Sequence, residues 1–189
     1  MGVAVPRSKP QMKREVLEER IKPFNIDMNK WCPLFVGIRG YYLDTMGEVG
    51  ENERGMYDDA MFILTPDYYF SYNANTDPSK YQYGIATLKK GFWPAYKFDL
   101  HRGQYLALCQ RAGEVVVIRD DQGEDRGWFG INIHKGSYNS TSSLGCQTIH
   151  PDQWDDFIDT AVGMAEQYKG KTWKKFSYAY LLLDELDYR

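Results

Sequence analysis

Alternation of apolar and polar positions recurs along the chain more often than a helical repeat, so strands dominate the expected element order. Residues 34–43 (LFVGIRGYYL) join β-forming side chains to two glycines, which predicts a first strand with a kink or bulge. Residues 60–65 form a short apolar strand that Pro66 ends, and residues 68–73 read as its partner. Residues 84–88 and 93–100 are further strands, separated by Lys89, Lys90 and Gly91, and residues 114–119 (EVVVIR) are another. The polar DDQGEDRG run then reads as a connection, residues 129–134 as a strand ending on His134, and residues 176–184 (FSYAYLLLD) as the closing strand.

Three segments carry a helical pattern instead. Residues 10–22 place Met12, Val16 and Ile21 roughly on one face before Pro23 stops the helix. Residues 103–112 predict a short helix with Tyr105, Leu106 and Cys109 on one side and Gly113 as its stop. Residues 151–168 begin with Pro151 and acidic first turns and carry an apolar face of Trp154, Phe157, Ile158, Ala161 and Ala165. Residues 45–58 and 73–79 are loop and turn chemistry. The expected fold is mainly β (a β-rich α+β class), an antiparallel, sandwich-like sheet with two or three flanking helices. Residues 1–24 are expected to be an N-terminal helical arm or cover, and residues 25–189 a single β-rich catalytic domain.

A chain of 189 residues is long enough for one domain with a real core. Its formal net charge of -3 supplies no basic field, so a nucleic-acid partner has no compositional support. No apolar run is long enough to span a bilayer, and the first residues lack the apolar centre of a signal peptide. The expectation is synthesis in the cytoplasm without stable membrane insertion. The 15 Tyr and 5 Trp suit sugar or peptide surfaces as well as sheets. Three cysteines, none close to another, argue against a disulfide framework, and Cys32 and Cys109 sit in apolar company and read as core.

Candidate chemistry gathers between Trp128 and Ile149 (WFGINIHKGSYNSTSSLGCQTI). Gly130, Asn132 and His134 share one face of the predicted strand, a Gly/Ser/Asn/Thr loop follows, and Ser143, Leu144, Gly145 and Cys146 come after it. If the loop folds back, imidazole and thiol meet, the minimum equipment for covalent acyl transfer. Gly145 permits close backbone approach, and Ser143 offers a hydroxyl beside the thiol. Asn132 either orients the imidazole or meets substrate, and Lys135 and Tyr138 are placed to meet a carboxylate, a peptide or solvent. A zinc reading of His134 and Cys146 lacks any tight ligand pair, and Asn73, Asn75 and Asp77 have the outline of a calcium loop with Pro78 where the turn needs Gly. No metal or cofactor is therefore expected. His150, just before Pro151, reads as a helix cap and His101 as an ordinary loop histidine.

The pattern I-x-I-H-x-G, a polar loop, then S-x-G-C resembles the active-site signature of L,D-transpeptidase catalytic domains. The likeness covers residues 130–148. It implies a mostly β fold and a cysteine enzyme acting on peptidoglycan stem peptides. Cys146 is then the nucleophile, His134 the general base, Ser143 and Gly145 the frame of the nucleophile, and the amides of Gly145 and Cys146 the oxyanion donors. Asn132, Lys135, Tyr138 and Gln147 become candidate substrate contacts. The chain departs from the family at Leu144, where a histidine is usual, and at Thr148, where an arginine is common. The variant looks like those of phage or prophage proteins, which implies a hydrolytic endolysin acting in the periplasm or wall after release, with a transferase or delivered effector as alternative. A third reading is a non-catalytic wall-binding or virion module.

Overall fold

The computed structural model describes residues 2–189. Eight strands close into a barrel: β1 Leu34–Arg39, β2 Asp59–Leu64, β3 Tyr69–Asn75, β5 Gly91–His101, β6 Tyr105–Gln110, β9 Ile133–Lys135, β10 Gln147–Ile149 and β11 Tyr178–Asp184. Around the barrel the order is β1-β11-β5-β6-β9-β10-β3-β2. The remaining strands, β4 Ala86–Leu88, β7 Val115–Arg119 and β8 Gly123–Gly127, form a small separate sheet. The mainly β expectation stands. The sandwich does not: the sheet closes on itself, which removes the free edges a sandwich would keep.

Two pairings are parallel, β1 with β11 and β9 with β10, and each joins segments with intervening chain long enough for a crossover. Strand β11 runs beside β1 with Phe35 opposite Tyr180 and Gly37 opposite Leu182. In both strands alternate residues enter different clusters. Phe35, Tyr178, Tyr180 and Leu182 join the main core, whereas Leu34, Val36, Ile38, Ala179, Leu181 and Leu183 form a second one. That second cluster is covered by α1, Arg14–Ile21, through Leu17 and Ile21. Of the predicted face, Ile21 is buried and Met12 packs against the cluster, whereas Leu17 is fully buried in place of Val16, which faces solvent. The N-terminal helix is thus packed on the barrel wall, which explains why residues 34–38 (LFVGI) and 181–183 (LLL) lack polar positions. A short helix, α2 Met28–Trp31, capped by Asp27, leads into β1.

Helix α3, Pro151–Lys169, matches its sequence pattern closely. His150 caps it by accepting the Asp152 N–H on its ring nitrogen, Pro151 occupies the first turn, and Gly170 at φ 66° ends it. Trp154, Phe157, Ala161 and Ala165 enter the main core, and the Phe157 ring meets Tyr72 edge-on at 5.2 Å. Burying a ring of that size contributes roughly 1.5–3 kcal/mol, and Phe157→Ala is the single change that would loosen the helix most.

The predicted helix at residues 103–112 is instead the turn into β6 and that strand itself, which pairs with β5 from His101↔Tyr105 to Tyr96↔Gln110. Leu and Ala satisfy helical propensity as well as burial, and the β5 hairpin partner decided between them. The polar run after β7 also forms part of a hairpin. Strand β8 (GEDRG) pairs Val115↔Gly127 to Arg119↔Gly123, an exposed edge whose charges face solvent.

Candidate active site

Cys146 and His134 lie at the junction of two three-residue strands. In β9 and β10, Gln147 is opposite Ile133 and Thr148 opposite His134, and the Gln147 N–H donates to Asn132 O at 2.8 Å. The loop between them does fold back as the sequence implies. Gly136 N–H donates to Ile149 O, and the buried Tyr57 hydroxyl both donates to Ser137 O and accepts Ser137 N–H, each at 2.9 Å. A Cβ at Gly136 would stand 2.0 Å from that hydroxyl, so Tyr57 can lock the loop only where residue 136 is glycine.

The turn before the thiol is held by serines. Ser79 N–H donates to Ser143 O, while Ser79 Oγ accepts Ser143 N–H and bonds Thr141 Oγ1. Ser143 Oγ accepts the Gly145 N–H at 3.0 Å and donates to Cys146 O at 2.7 Å. Ser143 is therefore a buried turn clamp, and it changes the expected oxyanion donors. The Gly145 amide is already bonded, whereas the Cys146 amide has no partner among the described residues. Gly145 has φ 131°, and a Cβ there would lie 2.4 Å from Ala86 O. Only glycine satisfies both conditions.

No hydrogen bond joins His134 to Cys146. The thiol donates to Gly130 O at 3.3 Å and accepts the Asn132 N–H at 3.4 Å. His134 Nδ1–H donates to Lys135 O at 2.8 Å, because a carbonyl can only accept; the lone pair is thereby assigned to Nε2, the nitrogen able to act as base. Burial and then the neighbouring His101 ring lower the His134 pKa to about 4. Burial raises the Cys146 pKa even though the residue is only half-buried, with weaker opposition from the Asn132 amide and Arg102. At neutral pH the pair is a thiol and a neutral imidazole, suited to general-base chemistry in place of a standing thiolate–imidazolium pair.

His101 is the residue sequence reasoning missed. It ends β5, is buried, and stacks on His134 with ring centroids 4.1 Å apart. Its Nδ1 accepts from Asn132 Nδ2 at 3.1 Å, and Asn132 Oδ1 accepts the Gln110 N–H at 2.9 Å, which fixes the amide's orientation. Asn132 thus braces the imidazole pair from behind. Gln110 Oε1 in turn accepts the amides of Phe129, Gly130 and Ile131 and holds the irregular approach to β9.

A cavity of about 180 Å³ opens beside the imidazoles, lined by His101, Arg102, Gln104, Tyr105, His134, Lys135 and Ser142. Arg102, at φ 51° on the β5–β6 turn, makes no ion pair among the described residues, and Lys135 reaches Asp155 only at 3.8 Å. The cavity therefore presents cations and no carboxylate. Larger grooves of about 450 Å³ run along α1, with no histidine or cysteine in their lining.

The other sequence candidates separate. Lys135 lines the cavity. Tyr138 is exposed but turned to α3, its hydroxyl donating to Asp152 at 2.6 Å. Gln147 is inside the barrel, where Oε1 accepts from Tyr180 OH at 3.0 Å and Nε2 donates to Gly145 O, so the expected substrate contact is a core hydrogen-bond group. Tyr180 reaches it across Gly37, where a Cβ would stand 1.9 Å from the hydroxyl. Cys32 and Cys109 are buried and unpaired. Among the described residues no three His, Cys, Asp or Glu side chains group as metal ligands, and no helix is long and apolar enough to cross a membrane. Comparison of the chain with protein-family models, with curated proteins and with solved structures finds no match.

Proposed function

We propose that this chain is a cysteine enzyme of the L,D-transpeptidase type that hydrolyses peptidoglycan stem peptides. The observation that carries the reading is the placement of His134 on β9 and of Cys146 directly before the parallel β10, with a cavity of cationic lining beside His134. In the proposed reaction His134 Nε2 takes the thiol proton as Cys146 Sγ attacks a peptide carbonyl. The Cys146 N–H faces the oxyanion. The C–N bond then breaks, His134 returns the proton to the departing amine, and a thioester is left on Cys146. Water activated by the same imidazole adds to the thioester, the C–S bond breaks, and the peptide acid leaves as the thiol is reprotonated. Resolution by an amine instead of water would make the same enzyme a transferase.

Arg102 and Lys135 support an acidic peptide as substrate, and they stand in for the arginine that the family has where this chain has Thr148. The site of action on this reading is the wall or periplasm, reached after release or delivery. A second reading, a non-catalytic wall-binding or virion module, draws on the thiol's bond to Gly130 O in place of His134. Purified sacculi digested with the protein separate these readings by mass spectrometry of the muropeptides. Shortened stems that disappear with Cys146→Ala support the hydrolase, and exchanged D-amino acids support the transferase. Unchanged muropeptides with retained binding support the module.

A further inference from the structure

Of the buried side-chain atoms without a hydrogen-bond partner, four are oxygens at one end of the barrel: Asn52 Oδ1, Asp58 Oδ1, Asn75 Oδ1 and Thr148 Oγ1. They belong to neighbouring positions. Asp59 is opposite Ala74 in the β2–β3 ladder, which brings Asp58 next to Asn75, and Asn75 is opposite Thr148 in β10. Asp58 and Asn75 are 2% and 0% exposed. Both amides are oriented by their nitrogens, Asn52 Nδ2 donating to Asp77 Oδ2 at 2.5 Å and Asn75 Nδ2 to Asp77 O at 2.6 Å. Their carbonyl oxygens are the ends left over, so an amide flip would trade these bonds for new orphans.

The charge around these oxygens is unbalanced in the same direction. Asp58, Asp59 and Asp77 are all buried, and one guanidinium, Arg39, pairs with Asp77 at 3.0 Å. Asp59 accepts the Gly40 and Thr76 amides and Asp58 Oδ2 accepts the Glu53 amide, but burial outweighs these donors and raises both carboxyls. One guanidinium for three buried carboxyl groups leaves the cluster short of positive charge. Water can donate to two of the orphan oxygens at once but brings no positive charge.

We propose that Asn52, Asp58 and Asn75, backed by Asp77, bind a divalent hard cation of the calcium class through their side-chain oxygens. Amide and carboxylate oxygens are the donors such an ion takes, and its charge would favour the ionised form of the buried carboxyls. The outline of a calcium loop at Asn73, Asn75 and Asp77 thereby acquires ligands from a second segment, residues 52–58, and the Pro78 objection falls because the site is not a single loop. The ion would pin that segment to β3. The segment carries Tyr57, which locks Ser137, and β3 borders β10, so the ion would stiffen the strands that hold the thiol and imidazole.

The competing occupant is protons: burial, then mutual repulsion, push the Asp58 carboxyl up to about 7. Full-length protein stripped with EDTA and titrated with Ca²⁺ or Mg²⁺ in a calorimeter, with thermal unfolding in parallel, decides between them. Saturating Ca²⁺ is expected to raise Tm by about 5–10 °C, with Mg²⁺ giving less. Asp58→Asn and Asn52→Ala should each abolish most of the shift, and Asn52→Ala, on the half-buried segment, decides the matter if Asp58→Asn does not fold. No heat and no Tm shift with either ion, or an undiminished shift in the folded variants, overturns the proposal. The readout is independent of wall hydrolysis, so it stands or falls apart from the catalytic reading.

Discussion

The His101 ring lies on the His134 ring at 4.1 Å, with planes inclined by 21°. The one imidazole therefore supports the orientation of the other and, after burial, adds to the lowering of its pKa, and Asn132 holds the first in place. Asn132→Ala frees His101 and strands the Gln110 amide at a cost of about 1–3 kcal/mol. Muropeptide turnover should fall about 10–100-fold with KM nearly unchanged, since Asn132 acts behind the imidazoles. A matching change in the His134 titration, read by NMR, distinguishes this positioning role from simple loss of fold.

With His134 titrating at about 4, the acid limb of kcat/KM should lie well below the ordinary imidazole range. The stability consequence has a definite sign. The folded pKa is lowered, so the unfolded chain binds the extra proton between about 6.5 and about 4, and the contribution present above that window is lost as pH falls through it. The loss is on the order of 3 kcal/mol, and His134→Asn should lack it. Denaturant unfolding of both proteins at pH 7 and pH 4 measures the difference.

Thiol labelling should follow exposure first. Cys146, half-buried, is expected to react with iodoacetamide before Cys32 and Cys109, which are enclosed and pushed up to about 11. Because no hydrogen bond links the thiol to His134, His134→Ala should leave the labelling rate at high pH almost unchanged while lowering turnover about 10²–10⁴-fold. Equal loss of both would indicate a preformed ion pair instead.

Gly145→Ala combines a left-handed backbone with a 2.4 Å approach to Ala86 O. A penalty of roughly 2–4 kcal/mol is expected, visible in the unfolding midpoint. The same residue fixes where Cys146 stands, so any folded fraction should also be poorly active.

Arg102→Ala removes a cavity cation without touching the barrel core. For an acidic peptide the expected result is a rise in KM of about 10–100-fold, the equivalent of one charge-assisted hydrogen bond, with the unfolding midpoint unchanged. Arg102→Lys should restore part of the affinity, and an amidated substrate should be insensitive to the substitution.

Much of the scaffold was legible because its local signals agreed. Pro66 ended β2, and His150, Pro151 and Gly170 bounded α3 as their chemistry requires. The thiol, the imidazole and the folded-back loop were legible for the same reason. Strand β6 was not, since Tyr105–Gln110 is compatible with either element until β5 pairs with it. His101 was hidden by distance: its contacts with Asn132 and His134 cross a barrel that no local pattern announces. Gln147 was misplaced because a polar residue next to a nucleophile suggests substrate, whereas the strand's alternation turns it inward to Tyr180.

The barrel closes through β10, a strand of three residues between β9 and β3. Such a seam has few amides to lose, so opening there costs less than between the longer strands β1, β2 and β11. Amide exchange at Gln147, Thr148 and Ile149 should be faster than in β1 or β11, and a peptide seated against His134 and Cys146 would slow it. The ligand would then act as the missing width of the strand, with substrate residence time tied to how long the cylinder stays shut.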